Sequence, residues 1–144
     1  MIKGAIFDVD GTLLDSMGIW KDVGVRYLNS IGIEAEPDLG NILFTMSIRE
    51  GAQYVKEHYH LSQETDEIEQ NVLDIISDYY KETAPLKSGA VELLEKLRNS
   101  NIPMTIASSN NKKEIEMAFE RLEIAKYFDR IFTCEEAGAG KTKP

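Results

Sequence analysis

The sequence predicts an α/β fold, a doubly wound parallel sheet interrupted by an α-helical insertion. Three observations carry the prediction. Short apolar runs at 4–9 (GAIFDV), 103–107 (PMTIA) and 130–134 (RIFTC) have the length and content of buried parallel strands. Between the later runs lie segments whose apolar residues recur at helical spacing. From 16 to 84 the alternation stops, and only helical periodicity is present.

Taken in order, the first strand ends in Asp-Gly, a turn signal. In the insertion, Trp20, Val23, Tyr27 and Ile31 recur at three to four residues, as do Ile68, Val72, Ile75 and Tyr79, and a third helix is expected from about Ser47 to Glu57. Pro85 and Gly89 mark the return to the sheet. Val91, Leu94 and Leu97 then give a helix before the second strand. Asn111 with Glu114 forms a capping pair that opens a helix bearing Ile115, Phe119 and Leu122. The expected division is 1–15 with 85–144 for the sheet, and 16–84 for the insertion. Strands alternating with helices connect as right-handed βαβ units.

Composition narrows the function. The 144 residues carry a net charge of −9, which disfavours a nucleic-acid backbone as partner. Residues 34–82 hold 12 acids against three bases (Arg49, Lys56, Lys81), whereas the remainder balances. A neutral core and an acidic insertion follow. No apolar run approaches the roughly 20 residues needed to span a bilayer. The single cysteine, Cys134, excludes an internal disulfide and a cysteine-based zinc site, and it fits a reducing cytoplasm.

The chemistry concentrates at Asp8-Val9-Asp10-Gly11-Thr12. Open α/β sheets bind ligands at the carboxyl ends of their strands, where this pentapeptide falls. Two carboxylates one residue apart can aim at one small volume, one as nucleophile and the other moving protons. A Ca²⁺ loop fails as an explanation, because the further acids it needs are absent downstream.

These residues resemble motif I of the haloacid dehalogenase superfamily, and FDVDGTLLDS resembles its phosphatase and beta-phosphoglucomutase-like branch. Ser108, at the tip of MTIAS, resembles motif II. The insertion resembles that branch's helical cap, and PLKSGAVELLEKLR its re-entry segment. The resemblance implies a Rossmann-like core and a phosphatase of small phosphorylated metabolites. Asp8 is then the nucleophile that carries an aspartyl-phosphate, and Asp10 the general acid and base. Gly11 and Thr12 orient Asp10. Mg²⁺ sits between the Asp8 carboxylate and the Asp10 carbonyl, and Ser108 with the Ser109 amide holds the phosphoryl oxygens.

The ending, EEAGAGKTKP, is not a phosphate-binding loop of the G-x-x-x-x-G-K-[ST] kind, since Glu135 stands where its first glycine belongs. Lys141-Thr-Lys-Pro144 instead resembles the motif III context, which implies Lys141 as the residue that neutralises the phosphoryl group and the Asp8 carboxylate, with Lys143 as the alternative. The resemblance also implies a fourth strand with further metal-binding acids beyond residue 144, for which Glu135 and Glu136 come too early. The chain is therefore expected to be part of a longer protein. By itself it is expected to show weak Mg²⁺ binding and little turnover, with self-association through the open edge of the first strand.

In the cap, Ser47-Ile-Arg49-Glu50 resembles a mutase segment whose arginine meets a second phosphate, and Trp20 is a candidate at the substrate entry. His58 and His60 read as surface residues. The rival functions are a phosphosugar mutase, a receiver-like signalling module and a non-catalytic ligand-binding fragment. A receiver module carries its phosphoacceptor on a later strand and has no large insertion after the first.

Overall fold

The computed structural model describes residues 1–141. Its elements are β1 (Ala5–Phe7), α1 (Met17–Ser30), α2 (Leu39–Phe44), α3 (Ile48–His58), α4 (Thr65–Glu82), α5 (Ala90–Asn99), β2 (Met104–Ser108), α6 (Lys112–Arg121), a 3-10 turn (Ala125–Tyr127), β3 (Arg130–Thr133) and α7 (Cys134–Ala137). The α/β class is as the sequence predicts. All three strands are parallel, in the order β1-β2-β3.

The chain divides into two compact units, Met1–Ser16 with the segment from Tyr80 onward, and Met17–Tyr79. The sequence reading places the return at 85, after the helix. The boundary falls earlier, inside α4, because the last turn of that helix bonds to the first unit through Tyr80.

In the sheet unit, Phe7 is in register with Ile106, and Ile106 with Ile131. Met104, Ile106 and Ser108 are buried on one face of β2, together with Leu94 of α5 and Ile115, Ala118 and Phe119 of α6. Phe128 completes this layer, its ring 5.3 Å from Phe119 and 6.1 Å from Phe7. Residues of the opposite face, Ile6 and Phe132, are 75% and 49% exposed. Among the described residues β1 has a strand on one side only, so its other edge is open to pairing. Asn111 caps α6 through Lys113 N at 2.8 Å, one residue short of the reciprocal pairing expected with Glu114. The segments leaving and re-entering the sheet unit bond to each other. Lys87 N donates to Leu13 O and Asp15 N to Pro85 O, both at 2.8 Å. Gly89, at φ 80°, then turns the chain into α5 through a left-handed conformation that suits glycine.

The helical unit contains α1, α2, α3 and most of α4. Helix α2 is not anticipated from the sequence, since six residues are too few to display a period. The buried face of α4 is Ile68, Val72, Ile76 and Tyr80. The reading through Ile75 and Tyr79 is thus rotated by one position, because three- and four-residue steps both satisfy a 3.6-residue period. Ser47 and Glu50 form a capping box. Ser47 Oγ accepts from Glu50 N at 3.2 Å, and Glu50 Oε2 accepts from Ser47 N at 2.8 Å. The Ser47 amide holds the Glu50 carboxyl below its ordinary pKa of 4.5. A depressed carboxyl contributes stability that is present above the ordinary value and is lost as pH falls through the depressed one. Glu50→Gln, which keeps a capping acceptor, is therefore expected to flatten the acid limb of the helical unit's Tm–pH curve. Unchanged curvature would dissociate the box from acid stability. No helix among the described residues is long and apolar enough to cross a membrane.

Candidate active site

The candidate site is built on a turn that follows β1. Thr12, Leu13 and Leu14 direct their amides to Val9 O at 3.2, 3.0 and 3.0 Å, while Gly11 N donates to Leu14 O at 2.9 Å. Three donors on one carbonyl require a sharp reversal. Gly11 supplies it at φ 75°, a region costly for residues with a Cβ. Val9 is fully buried and points inward. Asp8 and Asp10, on either side of it, are exposed and half-buried. These amides use Val9 O and Leu14 O rather than Asp10 O.

Lys141 Nζ lies 2.7 Å from Asp8 Oδ1, although the residues are 133 positions apart. Both side chains are roughly half exposed, at 43% and 45%, so the pair is open to a ligand. Lys141 also lines a cleft of about 300 Å³ with Ser108, Thr133, Cys134 and Gly140. Ser108 is buried, and its Oγ accepts from Asn110 N at 3.1 Å, fixing the loop after β2. Ser109 Oγ accepts from Cys134 Sγ at 3.5 Å. The structure thus brings Asp8 to Lys141, and Lys141 to the cleft of Ser108. Lys143 lies outside the described residues.

Asp10 is held differently from the sequence expectation. Its Oδ1 accepts from Ser16 Oγ at 2.6 Å and from the Tyr80 hydroxyl. Thr12, expected to orient it, is exposed, because the turn spends the Thr12 amide on Val9 O and carries the side chain outward. Both partners of Asp10 escape sequence reasoning. Ser16 offers only proximity as a signal. Tyr80 offers the i+4 series from Ile68.

The oxygens available to a metal are the Asp8 carboxylate and the Asp10 carbonyl. Hard oxygen donors with room for water suit Mg²⁺, which is commonly bound by one or two carboxylates plus substrate phosphate. On that chemistry the two groups fit. Among the described residues no cluster of three or more His, Cys, Asp or Glu could hold a metal. Glu136 is engaged elsewhere. Lys112 Nζ, 2.8 Å away, holds its carboxyl below the ordinary glutamate range, and its amide bonds Thr133 Oγ1.

The two cap candidates fall within the helical unit. Arg49 Nη1 is 2.9 Å from both Asp66 Oδ1 and Glu69 Oε2, and these carboxylates raise the guanidinium pKa. Trp20 lines an apolar cavity of about 240 Å³ with Tyr27, Phe44, Met46, Val55 and Ile68. His58 bonds Glu36 Oε1 at 3.0 Å and stacks on Tyr54.

The family model described as haloacid dehalogenase-like hydrolase matches residues 5–144. A phosphorylated carbohydrates phosphatase of Thermotoga maritima is 24% identical over 99% of this chain, which spans 66% of that protein. Hexitol phosphatase B of Escherichia coli K12 is 23% identical, again over 99% of this chain and 65% of its own length. Among solved structures, a beta-phosphoglucomutase-like protein of Thermotoga maritima superposes with a TM-score of 0.89 at 24% identity, covering 99% of this chain and 66% of that one. The chain therefore spans about two thirds of the length of these relatives.

Proposed function

Because the chain belongs to the haloacid dehalogenase-like hydrolase family, we propose that it serves a Mg²⁺-dependent phosphatase of small phosphorylated metabolites, working through an aspartyl-phosphate on Asp8. The observation that carries the reading is the Asp8–Lys141 pair at the carboxyl end of a parallel sheet. A carboxylate held beside an ammonium group is a nucleophile in a setting that already attracts a phosphate dianion. Relatives named for phosphorylated carbohydrates and hexitols support the substrate class.

In this reading Asp8 attacks phosphorus in line with the ester oxygen, and the P–O bond to the leaving group breaks. Asp10 gives that oxygen a proton and later takes one from the water that cleaves the aspartyl-phosphate. Lys141 and Ser108 hold the equatorial oxygens, with the Ser109 amide. The Asp8 carboxylate and Asp10 carbonyl would hold Mg²⁺, which screens nucleophile from phosphate. A single cysteine, Cys134, and a small phosphorylated metabolite as substrate support a cytoplasmic protein acting on a small anion rather than a nucleic acid. For residues 1–144 by themselves, the edge of β1 away from β2 would be the surface for self-association.

Arg49 bears on the mutase alternative. Such an enzyme must retain a bisphosphate, which needs a second anion clamp. With two carboxylates already on its guanidinium, Arg49 is poorly placed to supply one, and the phosphatase reading is preferred.

The test is phosphate release from a panel of sugar phosphates, hexitol phosphates, nucleotides and phosphoglycolate, with and without Mg²⁺, by the full-length protein and by its Lys141→Met variant. Mg²⁺-dependent release is expected, with kcat/KM lower in the variant by about 10²–10³-fold, the usual effect of losing one charge-stabilising donor. Release that ignores both Mg²⁺ and Lys141 would sink the reading.

A further inference from the structure

Asp10 is gripped by an element distant in sequence. The Tyr80 hydroxyl, 70 residues on, donates to Asp10 Oδ1, the oxygen that also accepts from Ser16 Oγ. Tyr80 is fully buried and lies in the last turn of α4, at the residue where the chain passes back into the sheet unit. Carbonyls at a helix C-terminus lack partners within the helix. Here Arg121 Nη2 supplies one, donating to Tyr80 O at 3.1 Å and to Ala84 O at 2.6 Å. Arg121 ends α6, the helix that follows the Ser108 strand. One guanidinium therefore fixes the turn that carries the phenol, and the phenol fixes the carboxyl group.

We propose that Tyr80 is a positioning residue for proton transfer by Asp10, and that Arg121 sets the position of Tyr80. Two hydroxyl donors on Oδ1 define the plane of the carboxyl group and leave Oδ2 as the oxygen that exchanges a proton with the leaving group. A carboxyl free to rotate about its Cα–Cβ and Cβ–Cγ bonds spends little time within hydrogen-bond reach of that oxygen, and proton transfer requires such reach. Tyr80 suits the task because it is rigid, fully buried and anchored through its own carbonyl. The kinetic consequence rests on the phosphatase reading above. The contact itself does not.

Leaving-group dependence separates this role from general structural support. An alkyl phosphate expels an alkoxide that must be protonated as the P–O bond breaks. p-Nitrophenyl phosphate expels a stable phenolate that needs no such help. Tyr80→Phe retains the ring and its packing and removes only the donor. It is expected to lower kcat/KM about 10- to 100-fold on a hexitol phosphate, as for losing a hydrogen bond to a charged group, and less than about threefold on p-nitrophenyl phosphate. Arg121→Met is expected to show the same selectivity with a smaller loss. Equal losses on both substrates, or none on either, overturn the proposal.

A second readout needs no turnover. In proton NMR, the buried Tyr80 hydroxyl bonded to a carboxylate is expected downfield of the amide region, as a resonance absent from Tyr80→Phe. Tyr127, whose hydroxyl donates to Glu95, gives a comparable signal that Tyr127→Phe assigns. If the full-length wild type hydrolyses no ester, the phosphatase reading falls and the Tyr80–Asp10 contact is judged by this signal alone. Its absence overturns the contact, and its presence with loss in Tyr80→Phe supports it.

Discussion

Asp8→Asn in the full-length protein is expected to abolish turnover, lowering kcat/KM by at least about 10³-fold, the scale seen when a covalent nucleophile is removed. The amide is nearly isosteric with the carboxylate, but its oxygen is neutral and too weak a nucleophile to attack phosphorus. The fold should survive. Asp8 lies just beyond β1, outside the strand ladder, and its partner Lys141 is roughly half exposed like itself. An exposed ion pair contributes at most about 1 kcal/mol, so the melting temperature should move little. Thermal melting and phosphate release measured on one preparation check both halves. Activity retained within about tenfold of wild type would remove Asp8 as the nucleophile, since no unassisted water reaction comes so close.

The strands were legible because a buried parallel strand is a nearly continuous apolar run, and three such runs are present. Their ends were less so. GAIFDV reads as strand through Val9, yet the ladder stops at Phe7 because Val9 O is committed to the turn. Helical phase was ambiguous in α4. Ile75 and Tyr79 fit a 3.6-residue period as well as Ile76 and Tyr80 do, and only packing decides between them. The missed phase concealed Tyr80 and therefore its contact with Asp10. In the cap, Ser47-Ile-Arg49-Glu50 resembles a ligand segment and also opens the helix expected from about Ser47, as the capping box shows. A serine three residues before a glutamate satisfies two orphan amides, and Arg49 turns to Asp66 and Glu69.

The long-range part of the site had a different source. Nothing in composition or periodicity links Asp8 to Lys141, and the pairing was expected only from the resemblance. Tertiary contact between residues 133 apart depends on strand order, which a local pattern does not encode. Asp10 shows the limit of that route. The motif supplied its identity and its expected role, while the hydroxyls that hold it come from Ser16 and Tyr80 and not from Thr12, the motif's own residue.

Asp10→Asn should separate the two halves of the proposed reaction. An amide can neither give a proton to an alkoxide nor take one from water. With a hexitol phosphate, kcat/KM is expected to fall by about 10²–10⁴-fold, the usual contribution of a general acid. With p-nitrophenyl phosphate the first step needs little acid and should proceed, while hydrolysis of the aspartyl-phosphate stalls. The variant should then release a burst of phenolate and retain one phosphoryl group on Asp8, visible as added intact mass. No added mass and no burst would mean that Asp10 acts before the covalent step or not at all. The same variant tests the coupling to Tyr80. If the phenol acts only by placing the Asp10 carboxyl, Tyr80→Phe has nothing further to remove once that carboxyl is gone, and the two losses on the alkyl substrate should not add. A double variant as slow as the product of the single losses would assign Tyr80 an effect independent of Asp10, despite the hydrogen bond between them.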